Sequence, residues 1–321
     1  MTRTPKVYTA EDALQEQPPI DWIVKDFIAP GSLVMFAGEP GSKKTWALLD
    51  MAVCVSLGET WLEYETRQGV VLIVDEESGT RRLKRRIGQA IKGHPPLRKP
   101  PLVFTSLFAF NMTQPDDVNQ LQLLIQEQGA QLVIIDTLAD IMPGKDENAV
   151  KDVQPVFLAL RKIAEVTTSA IVLIHHTSKA GGYRGSSAMA GAVDLLVEVS
   201  STDDKPFINF KTTKERDIER VKFAARLDIN DDRAYLVKAD LLETGNRLSD
   251  GQLHVLQYLK DNGASKVEDI TAAAATCSPG TARKELYKLA KGEMITRHDK
   301  GNRGGDATYV VTEAGLQLLK K

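Results

Sequence analysis

Ser32-Leu33-Val34-Met35-Phe36-Ala37-Gly38-Glu39-Pro40-Gly41-Ser42-Lys43-Lys44-Thr45 is the stretch that decides how this 321-residue chain folds. Leu33 to Ala37 is an apolar run of strand length, Gly38 to Ser42 reads as a turn, and Lys44-Thr45 opens a long apolar helix. A strand feeding a glycine-bearing loop and then a helix is a phosphate-binding arrangement, because loop N–H groups and the positive helix end face the anion. Lys44 then reaches the β- and γ-phosphates of a bound nucleotide, and the Thr45 hydroxyl ligates Mg²⁺. Gly38, Glu39, Pro40, Gly41, Ser42, Lys43, Lys44 and Thr45 are the expected nucleotide-binding residues. One position departs from the usual G-x-x-x-x-G-K-[ST]: Lys43 stands where the second glycine belongs.

The bulk properties narrow the field. A chain with 42% hydrophobic and 26% charged residues is an ordinary globular protein of one large or two smaller domains. A net charge of -2 carries no global nucleic-acid signature, so DNA affinity must come from a local patch. Cys54 and Cys277 are far apart and neither lies in a C-x-x-C, which predicts no disulfide framework and no zinc site and fits a reducing cytoplasm. The N-terminus has no apolar leader and no run reaches transmembrane length, so a cytoplasmic protein without membrane contact is expected.

Working outward from the loop, residues 1–30 read as a lead-in segment, with Trp22, Ile23 and Val24 packing on the core. The helix from Lys44 to about Leu57 is apolar on nearly every side and should be buried against a sheet. Val70 to Val74 suits a central parallel strand and ends in Asp75-Glu76-Glu77, at the edge where open α/β sheets bind ligands. The helix after it carries Arg81, Arg82, Lys84, Arg85 and Arg86, read as a solvated face. A strand at 102–105 precedes a helix announced by a capping-box pattern, Thr113-Gln114-Pro115-Asp116, and closed by Gly129. Leu132 to Ile135 ends in Asp136, which has the form of a Walker B strand about ninety residues after the loop and can hold the water shell of Mg²⁺.

A helix over about 150–167 leads to a buried strand at 170–174 that ends in His175-His176-Thr177. Neighbouring strand residues point to opposite faces, so the two histidines do not share one metal. One of them, or Thr177, is placed to sense the γ-phosphate or polarise a water. The serines of Arg184-Gly185-Ser186-Ser187-Ala188 lack a nucleophile elbow and are not read as nucleophiles. Strands at 193–199, 207–212, 223–229 and 235–237, with Lys214-Glu215-Arg216 between two of them, read as an antiparallel extension of the sheet.

This order of parts resembles the RecA-like ATPases, most closely the RepA-type hexameric replicative helicases, over about residues 18–240. The resemblance rests on Gly38 to Thr45, Ile134-Ile135-Asp136-Thr137-Leu138, His175 to Lys179 and Arg184 to Ala188. It implies an α/β core over 31–245 with a mostly parallel sheet flanked by helices. It also implies ATP and Mg²⁺ as cofactors, a ring of identical subunits, expected to be a hexamer, and single-stranded DNA within the ring. By the same resemblance Glu76, or Glu77 beside it, is the carboxylate that activates water. Arg184, or Lys214 with Arg216, is the finger supplied to a neighbouring subunit.

From Ser249 the character changes. Three helices, a hairpin at 295–297 and 308–311, and a final helix near Thr312 resemble a winged helix over 249–321. The stretch holds 11 basic and 9 acidic residues, about +2, a modest bias toward DNA. Its third helix presents Arg283, Lys284 and Lys288, and its wing Arg297, Lys300 and Arg303, as candidate contacts to duplex DNA; protein contact or ring packing is the alternative use. The sequence thus points to an ATP-hydrolysing DNA helicase or translocase. An ATP-gated DNA-binding regulator and a recombinase-type filament ATPase are the rivals.

Overall fold

The structure is a computed structural model and describes residues 7–16, 18–95, 98–177, 187–201, 206–239, 250–274, 277–291, 294–298 and 307–319. The chain divides into two compact units, Met1–Asp240 and Leu241–Lys321. In the first unit the elements run α1 (Ala10–Leu14), β1 (Leu33–Gly38), α2 (Lys44–Leu57), β2 (Val70–Asp75), α3 (Thr80–Lys92), β3 (Leu102–Ser106), α4 (Pro115–Gln128), β4 (Ala130–Asp136) and α5 (Val150–Thr167). They continue with β5 (Ala170–His176), α6 (Ser187–Ala192), β6 (Leu195–Ser201), β7 (Phe207–Glu215), β8 (Lys222–Ile229) and β9 (Ala234–Ala239).

The nine strands form one sheet in the order β3-β2-β4-β5-β1-β6-β7-β8-β9. β1 lies at its centre, parallel to β5 on one side and to β6 on the other. The residues of β6 were expected within the antiparallel extension. They form a sixth parallel strand, and the antiparallel part begins with β7. A helix, α6, stands between β5 and β6 in the chain, the kind of connection that parallel strands require.

Every residue of β1 is buried, and its side chains alternate between two cores. Val34 and Phe36 face one cluster with α2 and with Leu83 and Ile87 of α3. Leu33, Met35 and Ala37 face the other, with Leu121 of α4 and Phe157 and Leu160 of α5. That two-sided burial is why the parallel strands read as unbroken apolar runs. The lead-in segment joins the first cluster through Ile23, Val24, Phe27 and Ile28. There Phe27 packs against Trp61 and Phe223, with ring centroids 5.9 and 5.7 Å away. The capping box before α4 does not form. Gln114 is the N-cap residue without a side-chain bond, and the Thr113 hydroxyl turns to Asn111 Oδ1 at 2.7 Å.

In the second unit α7 (Asp250–Asn262), α8 (Val267–Ala272) and α9 (Pro279–Lys291) pack with β10 (Ser265–Lys266), β11 (Ile295–His298), β12 (Thr308–Val311) and α10 (Glu313–Leu318). The three strands pair antiparallel in the order β10-β12-β11. Val255, Leu256, Leu259, Ile270, Ala282, Leu286, Leu289, Ile295 and Tyr309 make its core. No helix among the described residues is long and apolar enough to cross a membrane.

Candidate active site

Parallel pairing brings the carboxyl ends of four strands level with one another. Gly38 of β1 lies opposite His176 of β5, and Asp75 of β2 opposite Asp136 of β4. The loop after β1 therefore opens onto an edge lined by acids and histidines. Gly38 must be glycine, because a Cβ there would sit 2.1 Å from the carbonyl oxygen of Val199. Gly41 and Lys43 both take left-handed backbone angles, at φ +83° and 66°. The motif places glycine at position 43 because that conformation costs an L-residue about 1–2 kcal/mol. Lys43 adopts it nonetheless, and its Nζ reaches Ser201 Oγ at 3.1 Å.

No side chain caps the start of α2. Its first-turn N–H groups and positive end are left to an anion. Lys44 is 3% exposed, and its Nζ donates to Gly38 O at 2.8 Å, Glu39 O at 2.9 Å and Ser42 Oγ at 3.1 Å. Burial lowers its pKa to about 8, against the pull of Asp136 and Glu77. The Thr45 hydroxyl donates to Asp136 Oδ2 at 2.8 Å. Asp136 Oδ1 is buried with no hydrogen-bond partner. Burial pushes this carboxyl up to about 7; the Thr45 bond and Lys44 oppose the shift, and the charges of Glu77 and Asp75 add to it.

An orphaned, desolvated carboxylate oxygen beside a threonine hydroxyl is what a Mg²⁺ bound to nucleotide phosphates would satisfy. Glu77, Asp136 and His176 each offer an atom within 4.8 Å of the others. The two histidines do part ways, as strand alternation requires. His175 Nδ1 lies 3.1 Å from Glu147 Oε2, and His176 Nε2 3.5 Å from Glu77 Oε2.

The two candidate carboxylates differ sharply. Glu76 turns away from the loop and accepts from the backbone of Ala109 at 2.9 Å and Phe110 at 3.4 Å. Burial raises its pKa, and those two bonds work against the rise. Glu77 is half exposed and stands with Asp136 and His176. The convergence therefore joins Lys44, Thr45, Asp136, Glu77 and His176 rather than Glu76. Asp75, read in the sequence only as one of three acids at the strand end and given no role of its own, sets this divergence. Its Oδ1 accepts from Glu77 N at 3.2 Å and Ser78 N at 2.9 Å, the kind of turn that an aspartate at a strand end favours.

Of the expected fingers, Arg184 lies outside the described residues. Lys214 Nζ donates to the backbone carbonyls of Ala190 and Gly191. Arg216 donates to Asp194 Oδ1 at 2.7 Å and to Gly191 O at 3.2 Å. Both thus hold the carbonyl end of α6 within the same chain. Asp194, also missed in the sequence, accepts from Arg216 and Arg161 and from Leu33 N at 2.8 Å. In the second unit Arg283, Lys284 and Lys288 are exposed along α9, with Lys288 Nζ 2.6 Å from Glu285 Oε1, and Arg297 is exposed on β11. Lys300 and Arg303 lie outside the described residues.

A phosphate-binding loop at the centre of a mostly parallel sheet, with an acid-bearing strand beside it, defines a P-loop ATPase of RecA-like fold. The chain belongs to the AAA domain family AAA_25, which it matches over residues 2–182. It is similar to the DNA repair protein RadA of Halalkalibacterium halodurans, at 26% identity over 57% of this chain and 37% of that protein. The likeness to the DNA repair protein RadA of Salmonella typhimurium is 24% over 64% of this chain and 42% of that one. The chain thus spans about two-fifths of the length of these curated relatives. Among solved structures it resembles the ATPase domain of G40P, with a TM-score of 0.50 and 14% identity over 65% of this chain and 85% of that domain.

Proposed function

We propose that the chain is an ATP-driven DNA helicase or translocase of RepA type, hydrolysing ATP at the subunit interfaces of a hexameric ring. The observation that carries the reading is the convergence of Lys44, Thr45, Asp136, Glu77 and His176 at one sheet edge. Lys44 gives up its bonds to the loop carbonyls and takes the β- and γ-phosphates. Thr45 and Asp136 are the residues that would hold Mg²⁺ at the phosphates, where it would supply neutralisation of their charge. Glu77 is the base for the attacking water, with His176 beside it to register the γ-phosphate. Glu76 holds the loop at Ala109 and Phe110 instead.

Arg184 is the favoured finger, because Lys214 and Arg216 are already engaged within their own chain. The second unit, three helices and a three-stranded sheet, supports a winged helix that lays α9 against duplex DNA. DNA as the partner also draws support from relatives named as DNA repair proteins. The recombinase-type filament ATPase is the second reading.

The test measures ATPase rate with and without single-stranded DNA, together with solution mass with and without Mg·ATP. A motor of this kind shows DNA-stimulated hydrolysis and an ATP-dependent closed ring. Mixing in Arg184→Ala subunits should depress the activity of wild-type subunits. Filaments in electron micrographs would favour the second reading, and hydrolysis indifferent to DNA would remove both.

A further inference from the structure

Helix α3 carries more positive charge than the fold uses. Arg81, Arg82, Lys84 and Arg85 are exposed, and the helix holds no acid. Among the described residues none of these four side chains makes an ion pair or a hydrogen bond. Arg86 differs: it lies over the Trp46 ring, 5.6 Å from the centroid, and donates to Ser78 Oγ at 3.3 Å. Arg81 and Arg82 stand in the first turn, where the positive end of the helix works against a cation. With Arg85 they border an open cleft of about 630 Å³, together with Ser78, Gly79 and Thr80.

An apolar loop adjoins that cleft. The loop after β3 touches the start of α3, where a Cβ on Gly79 would lie 3.6 Å from Leu107 Cδ1. Leu107 is 57% exposed and Phe108 53%, and Phe108 is the one exposed ring among the nine phenylalanines. That ring is backed by buried Phe110, with the two centroids 4.5 Å apart. Leu107 and Ala109, on either side of it, both take left-handed backbone angles, at φ 53° and 66°. Those angles are unfavourable for L-residues. They are held by Glu76, which accepts from Ala109 N and Phe110 N, and by Leu107 N, which donates to Asp75 O at 2.8 Å. Strain and hydrogen bonds together keep an apolar pair out of the core.

We propose that this surface binds single-stranded nucleic acid, with Phe108 stacking on one base and Arg81, Arg82 and Arg85 taking backbone phosphates. The inference rests on the DNA reading above and adds a contact outside both the nucleotide site and the second unit. An unpaired strand offers bare base faces to the ring and anions to the guanidinium groups. A duplex keeps its bases stacked on one another and would answer the cations alone. An anionic membrane also joins charge to apolar contact, but it calls for apolar bulk, and a single backed ring suits a flat base better. A merely solvated basic face leaves the two strained residues around Phe108 without a role.

Anisotropy of a dye-labelled oligothymidylate, titrated with the full chain over a range of salt concentrations, tests the proposal. Phe108→Ala should weaken binding about 5- to 150-fold, the effect of losing one stacked base, and leave the salt dependence unchanged. Phe108→Trp should keep the affinity and Phe108→Leu should not, because leucine restores bulk without a ring. Combining Arg81→Ala, Arg82→Ala and Arg85→Ala should flatten the slope of log K against log salt by about 2, at about 0.7 for each phosphate released. The Phe108 effect should persist in an Arg283→Ala, Lys284→Ala background, which removes cations of the second unit. All these side chains are exposed, and an unchanged urea midpoint checks that each variant folds. Wild-type affinity in Phe108→Ala or in Phe108→Leu overturns the proposal and leaves the DNA reading standing. No binding of the oligonucleotide by the wild type overturns both. Binding to phosphatidylserine vesicles that Phe108→Ala abolishes, with oligothymidylate binding untouched, assigns the surface to a membrane instead.

Discussion

Replacing Asp136 by Asn should make the nucleotide-free protein more stable while ending its Mg²⁺-dependent hydrolysis. The carboxyl stands at about 7 in the fold against an ordinary value of 3.8. Its folded pKa is raised, so the stability it contributes is present below about pH 4 and is lost as pH climbs to about 7. Three units at about 1.36 kcal/mol each give about 4 kcal/mol of destabilisation at pH 8. Asparagine keeps an acceptor for the Thr45 hydroxyl and removes the charge, but must bury an amide NH₂ beside the orphaned position. The net gain expected is about 2–4 kcal/mol at pH 8. At pH 5 the wild-type carboxyl is largely protonated in the fold, and the gain falls below half of that. Urea unfolding in a chelator, followed by tryptophan emission, reads the first unit alone, since Trp22, Trp46 and Trp61 all belong to it. With Mg·ATP at a hundred times its Kd the wild type should gain about 2.7 kcal/mol and the variant less. Equal or lower stability of Asp136→Asn at pH 8 would refute the claim that this carboxylate is stored unsatisfied for a cation.

Three further outcomes follow from the same geometry. Glu77→Gln should lower kcat by about 10²–10⁴-fold with nucleotide affinity retained, while Glu76→Gln stays within about threefold of wild type; steady-state hydrolysis decides, and the reverse ranking would return the base to Glu76. Lys43→Gly relieves a left-handed lysine at the cost of chain entropy and of the bond to Ser201. Chemical denaturation should show a gain of up to about 1 kcal/mol with hydrolysis intact, and a loss of that size would mean the lysine contacts outweigh the backbone. Triphosphate affinity should weaken as pH rises through about 8, because the free Lys44 amine loses its proton there while bound phosphate holds it on. Titration of a fluorescent nucleotide from pH 7 to 9.5 measures this, and a flat profile would separate Lys44 from the phosphates.

Much of the first unit was legible because its signals are local. β1, β2, β4 and β5 are apolar runs buried on both faces, and α2 runs from Lys44 to Leu57 as its apolar residues predict. The spacing from Lys44 to Asp136 by itself implies a shared site, since both follow strands whose ends a parallel sheet brings level. Adjacent positions were harder. Glu76 and Glu77 are equivalent in sequence, and only the bonds from Ala109 and Phe110, made across the edge between β2 and β3, assign them to different faces.

The motif by itself determined a phosphate-binding loop on a parallel sheet, because backbone conformation and strand-end chemistry are written within a few residues. Tertiary structure alone decided which acid faces the phosphates, that Lys214 and Arg216 clasp α6, that β6 runs parallel to β1, and that Leu107 meets Gly79 at the start of α3. Each of those depends on segments tens of residues apart arriving at one place, and no local propensity encodes such a meeting.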